Sequence, residues 1–196
     1  MLRLLPCLLL MLSLDAWTSP VPVPESVKKN FRQTFQSCAL ITSEHLTTLQ
    51  LRQRGIALEA ALRELPGLSD AGKKRVEYIY RMVEDLGILN AYADINTNFT
   101  RCAKLVYDVR GKPEPETVEY GYYFCAGENR IRFELMLMLD AGKATAEILQ
   151  SIPDSHFHLL GQYQKLIHTK GMLAAFDFTA NNLKGCLKNL ESNLNP

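Results

Sequence analysis

The stretch 38-CALITSEHLTTLQLRQRGIALEAALRELP-66 is written a second time, much diverged, as 125-CAGENRIRFELMLMLDAGKATAEILQSIP-153. Cys38, Gly55 and Pro66 each stand 87 residues before Cys125, Gly142 and Pro153. Three residues drop out after the proline, and the match resumes at an offset of 84. It then pairs Asp70 with Asp154, Gly87 with Gly171, Leu89 with Leu173, Ala91 with Ala175, Asn98 with Asn182 and Cys102 with Cys186. Of the 62 paired positions 12 are identical, and these include the cysteines, glycines and proline that fix geometry. Self-similarity at a fixed spacing marks an internal duplication.

The paired positions carry a helical period. Phe35/Tyr122, Ala39/Ala126, Leu46/Phe133 and Leu49/Met136 are apolar in both copies, and their spacings of 4, 7 and 3 share one helical face. Thr42 and Asn129 are polar and fall on that same face, which calls for a local bond or a bend. Gly55 and Gly142 suit the left-handed residue that ends a helix. A short second helix follows on Ala57/Ala144, Ala61/Ile148, Leu62/Leu149 and Leu65/Ile152, and Pro66 and Pro153 stop it. A third runs from about Lys73 to Tyr92 and from about Leu160 to Phe176, with Gly87 and Gly171 inside it. Glycine costs about 1 kcal/mol in a helix interior, so its presence in both copies implies close packing or a break. A final helix carries Cys102 in one half and Cys186 in the other. Strand-leaning runs occur only at Leu105 to Val109 and Val118 to Phe124, flanking Gly111 to Glu116, where a short hairpin is the alternative.

Residues 1–16 read as a secretory signal, with Arg3 before the apolar run Leu4 to Leu14 and cleavage after residue 16 or 18. The run is too short to span a bilayer, which takes about 20 apolar residues. Its removal leaves Cys38, Cys102, Cys125 and Cys186, an even number in an exported chain, which favours disulfides. If each half is one unit, Cys38 closes on Cys102 and Cys125 on Cys186. The rival pairing crosses the halves. Loops of this length stabilise by about 4 kcal/mol at most in the chain-entropy model. The expected layout is a signal (1–16), an extended segment (17–30), helical repeat 1 (31–110), a linker (111–119), helical repeat 2 (120–190) and a tail (191–196). The fold class is therefore all-α, two pseudo-symmetric units of about four helices, each closed by one disulfide.

Charge excludes little and selects little. Residues 25–111 hold 13 Lys/Arg against 10 Asp/Glu, and 112–196 hold 8 against 10. No concentrated basic face of the kind nucleic acid requires emerges. His156, His158 and His168 are weak metal candidates; their counterparts Gly72, Lys74 and Glu84 show that no such site is duplicated. The carboxylates, such as Glu77 beside Arg81, read as solvated helix faces. No Gly-x-Ser-x-Gly, His-Glu-x-x-His, Walker loop or dinucleotide fingerprint is present. Asn98-Phe99-Thr100 fits a glycosylation acceptor, relevant only in a eukaryotic secretory route.

Two stretches are candidate binding surfaces: the cluster Tyr120, Tyr122, Tyr123 and Phe124, and the Met-rich run Phe133 to Leu139. Both also serve as core. The expected function is non-enzymatic: an exported helical module, periplasmic or secreted, that binds another protein, as an inhibitor or immunity-type factor does. No cofactor, nucleic acid or integral membrane segment is implied. Rival functions are a carrier of a small apolar ligand and a hydrolase with dispersed catalytic residues drawn from the three histidines. An enclosed apolar cavity would mark the first, and two titratable side chains about 3 Å apart in a cleft the second.

Overall fold

The computed structural model describes residues 31–65 and 67–194. The expected signal peptide, the proline-spaced segment before residue 31, Pro66 and residues 195–196 lie outside them. Among the described residues eight α-helices follow one another: α1 (Phe35–Gln53), α2 (Leu58–Glu64), α3 (Asp70–Leu86), α4 (Ile88–Arg110), α5 (Val118–Asp140), α6 (Thr145–Ser151), α7 (Phe157–Lys170) and α8 (Met172–Leu194). A 3-10 turn, Asp154–His156, leads into α7, and the described residues contain no strand. The duplication is structural. Shifted by 87, the bounds of α2 become those of α6; shifted by 84, the bounds of α4 become those of α8.

Local signals set the helix ends. Thr34 caps α1 in a reciprocal box with Ser37, at 3.0 Å each way. Thr117 accepts from the Tyr120 amide at the start of α5, and Ser69 from the Gly72 amide at the start of α3. At the far end of α1, Ile56 N donates to Leu51 O and Gly55 N to Arg52 O, a Schellman closure with Gly55 at φ +79°. The same two bonds recur after α5, from Lys143 to Met138 and from Gly142 to Leu139.

The sequence pattern carries the third helix to Tyr92 and Phe176. The structure instead ends it at Leu86 and Lys170, and a new helix starts after a single intervening residue, Gly87 or Gly171. Gly87 and Gly171 sit at φ +77° and +81°, with nothing within 4 Å of an added Cβ. Of the two reasons for a shared glycine, backbone conformation applies and close packing does not. The hairpin alternative fails as well: both strand-leaning runs are helical, within α4 and α5. Helix α8 runs through to Leu194, beyond the expected start of the tail.

The two disulfides join Cys38 to Cys102 and Cys125 to Cys186, each with Cα atoms 5.9 Å apart. Each ties the first helix of a half to its last, so both pairings lie within a half. The long helices α1, α4, α5 and α8 also pack across the halves. α1 lies against α5 and α8, and α4 against α5 and α8. Exchanging the halves maps this set onto itself, as a two-fold axis requires. Tyr92 and Phe176, which are counterparts, meet there with ring centroids 5.3 Å apart and planes 20° from parallel. One continuous core results, running from Phe35 and Leu46 through Tyr92 and Phe133 to Leu187. A satellite cluster of Leu51, Ala61, Val76 and Tyr80 lies under α2 and α3. Thr42 and Asn129 are both buried in unbroken helices. The Asn129 amide donates to Asn96 Oδ1 at 3.0 Å, bonding α5 to α4 across the halves. Gly121 admits α8 closely, since an added Cβ would lie 2.5 Å from Leu190.

Because the core is shared, Phe176→Ala should lower stability by about 3–5 kcal/mol, the usual cost of such a cavity. It should do so in both halves. Denaturation followed by circular dichroism, with hydrogen exchange read separately over α1 and α8, checks this. Protection lost in the second half alone would contradict a common core.

Candidate functional site

The four tyrosine-cluster residues take different positions on α5. Tyr122 is 2% exposed and belongs to the core. Tyr120 borders a shallow dent beside Val118 and Leu190, with Lys112 Nζ 5.7 Å from its ring. Tyr123 and Phe124 line a groove of about 540 Å³ between α4 and α5. In the Met-rich run, Met136 is buried and Met138 packs against the core, while Leu137 is exposed.

The groove follows from two helical stripes. Thr100, Ala103, Lys104, Tyr107 and Asp108 form the α4 wall; Tyr123, Ala126, Gly127, Arg130 and Ile131 form the α5 wall. Both sets repeat three and four residues apart, so each wall is one helix face. At 1.5 Å per residue, residues 100 to 108 give it a length of about 12 Å. Phe35 closes the floor, edge-on to Tyr123 at 5.2 Å, and Tyr107 stacks on Tyr123 at 6.2 Å. Gly127 leaves open space, with nothing within 4 Å of an added Cβ. The rim is exposed: Tyr107 is 47% and Phe124 52% accessible. Its charges are paired within the chain, Lys104 with Asp108 at 2.6 Å, Glu128 with Arg132 at 2.6 Å and Arg130 with Glu134 at 3.5 Å. The groove therefore offers apolar shape and little net field.

The duplicate half provides a comparison. The counterparts of Tyr123, Phe124, Gly127 and Ile131 are Gln36, Ser37, Leu40 and Glu44. The same fold position is built there from polar residues, with a leucine where the groove has its glycine. The fold does not need the aromatic lining.

A second cluster joins α5 to the turn before α7. Glu128 accepts from Arg132 at 2.6 Å and contacts His156 Nε2 at 2.8 Å; Ser155 Oγ lies 2.9 Å from His156 Nδ1. Burial pushes the Glu128 carboxyl up, but the hydrogen bonds from Arg132 and His156 outweigh it and hold the group below its ordinary range. The sequence reads Glu128, with the other carboxylates, as a solvated helix face, whereas here it is half-buried and paired; Arg132 was not singled out, and 28 residues separate Glu128 from His156. The only signal of the Glu128–Arg132 pair was the i, i+4 spacing. His158 and His168 are exposed, and among the described residues no three His, Cys, Asp or Glu side chains gather into a group that could hold a metal ion. Asn98 is exposed on α4 and donates to Asp94 at 2.8 Å.

The two disulfides are compatible with an oxidising, exported environment. Among the described residues no helix is long and apolar enough to cross a membrane. Comparison with known protein families, with curated proteins and with solved structures found no match to this chain.

A carboxylate depressed on folding stabilises above its unfolded pKa, and that contribution is lost as pH falls through the folded value. Acidification from the ordinary glutamate pKa of 4.5 downward should therefore release the α5 clamp on the turn. Glu128→Gln should cost about 1.5–3 kcal/mol at pH 7, the range for a hydrogen bond to a charged group. It should also flatten the acid limb of a stability–pH curve. An acid limb as steep in the variant as in the parent would contradict this assignment.

Proposed function

We propose that this chain is a non-enzymatic, exported binding protein that receives a helical segment of a partner protein in the α4–α5 groove. The observation that carries the reading is the pair of aligned helix faces opening on exposed aromatic side chains. A groove between two helices accepts the apolar face of a third, read as anchors three and four residues apart. Two turns of helix match the ~12 Å length. The self-paired rim favours a partner face that is apolar rather than charged. Tyrosine and phenylalanine at such a rim bury large areas at small entropic cost, as interface anchors do.

A carrier of a small apolar molecule has less support. The groove exceeds the roughly 300 Å³ that a ligand pocket needs, but exposed side chains border it and each of the other three cavities described. A hydrolase reading has one specific observation in its favour, the chain Ser155–His156–Glu128, with a hydroxyl, a base and an orienting carboxylate in reach of one another. Against it, Ser155 lines none of the four cavities, and Glu128 is shared with Arg132.

A photo-crosslinking phenylalanine analogue at Phe124 tests the binding reading. In an extract of the compartment that holds the protein, it should label one protein, and the same analogue at Leu40 on the sister half should not. Gly127→Leu, which fills the groove, should abolish the adduct. An adduct indifferent to Gly127→Leu, or none, would sink the proposal. For the hydrolase reading, an esterase assay decides: His156→Ala should reduce any turnover to the buffer rate, and an unchanged rate rejects it.

A further inference from the structure

The seam related to the groove by the pseudo-symmetry, between α1 and α8, is built of different chemistry. Gln50, Gln53, Arg54, Asp177, Asn181 and Lys184 line a polar pocket of about 280 Å³ there. We propose that this pocket is a binding site for a small molecule bearing a carboxylate or phosphate group, held between Arg54 and Lys184.

Asp177 is satisfied without either cation. Its Oδ1 accepts from the Gln50 amide at 3.1 Å and from the Tyr92 hydroxyl, and its Oδ2 from the Gln53 amide at 2.7 Å. Asn181 Oδ1 accepts from Gln50 at 3.2 Å. Arg54 spends one of its five N–H donors, Nε, on Gln50 O at 3.1 Å. Lys184 donates to Gln50 Oε1. Among the described residues neither cation has a carboxylate within salt-bridge distance. Two positive groups and one negative one therefore share the pocket, leaving an excess of one positive charge and several free donors.

Arg54 is exposed, and Lys184 beside it is half-buried. Burial, and then the Arg54 charge, hold the Lys184 pKa below the ordinary lysine range, against the pull of Asp177. An oxyanion between the two cations relieves both. The planar guanidinium fork suits a carboxylate or phosphate edge, and the ammonium adds a point charge. The volume beyond the charged group suits a ligand somewhat below drug size.

The sister half shows that the fold can do without this arrangement. The counterparts of Gln50, Arg54, Tyr92, Asp177, Asn181 and Lys184 are Leu137, Ala141, Phe176, Ala93, Thr97 and Thr100, and that of Gln53 is Asp140. One copy has mostly apolar and small residues at these positions and no cation; the other carries a hydrogen-bonded cationic pocket. The cluster is thus an addition to the fold, with its Gln and Tyr residues serving to hold Asp177 and orient the donors.

Titration of the full-length protein with inorganic phosphate and, separately, with acetate, followed by amide chemical shifts, tests the site. At least one anion should saturate, moving resonances of Arg54, Asn181 and Lys184. Saturation by phosphate alone assigns a phosphorylated ligand, and by acetate alone a carboxylate. Arg54→Ala and Lys184→Thr install the residues of the sister half, so both variants should fold. Each should weaken binding at least tenfold, while Lys188→Gln, on an exposed residue of the same helix, should leave it unchanged. Absence of saturation with both anions, or binding that survives both substitutions, would overturn the proposal.

Discussion

Everything in this structure depends on two halves covering each other's apolar faces. Tyr92 and Phe176, the same position in each copy, stack at the centre, and the four long helices close around them. Neither half alone encloses these rings. A duplicated unit of about 80 residues buries a smaller share of its surface than a chain of twice that length, so a joint core is the stronger solution. The disulfides act one level below. Each fixes the first helix of a half against its last, which sets the spacing at which the other half must dock.

Much of the fold was legible because repetition separates signal from drift. Cysteines at matched offsets gave the pairing, and matched glycines and prolines gave the helix ends. At Gly87 the sequence left a break and a packing glycine as alternatives, because an apolar period continues across it from Val83 to Ala91; only the positive φ tells one from the other. The strand-leaning run Val118 to Phe124 kept a hairpin open as an alternative for another reason. Its tyrosines and valine favour strands in isolation, yet α5 packs against α1, α4 and α8, and that packing overrides propensity.

The candidate sites were less readable. Tyr123 and Phe124 were visible as aromatics, and the shared period put Tyr122 on the core face, but nothing in that period said that its two neighbours line a groove. Tyr107 and Gly127, which shape the groove as much, carry no signal until α4 and α5 are side by side. The same holds for Gln50 with Asp177 and Lys184, which are 127 and 134 residues apart. Polar contacts of that range arise from the docking of the halves, which a single helix period does not encode.

Divergence between the copies is where function enters. Residues that hold the helices together kept their character: the disulfides, the Schellman glycines and the buried apolar stripes. The two related seams did not. One became apolar and open, the other polar and cationic, which is the pattern expected when one scaffold is duplicated and its surfaces are then free to specialise. Peptide mapping of the unreduced protein by mass spectrometry tests the foundation of this account most directly. Fragments linking Cys38 to Cys102 and Cys125 to Cys186 are the predicted result. A fragment joining a cysteine of one half to a cysteine of the other would contradict it.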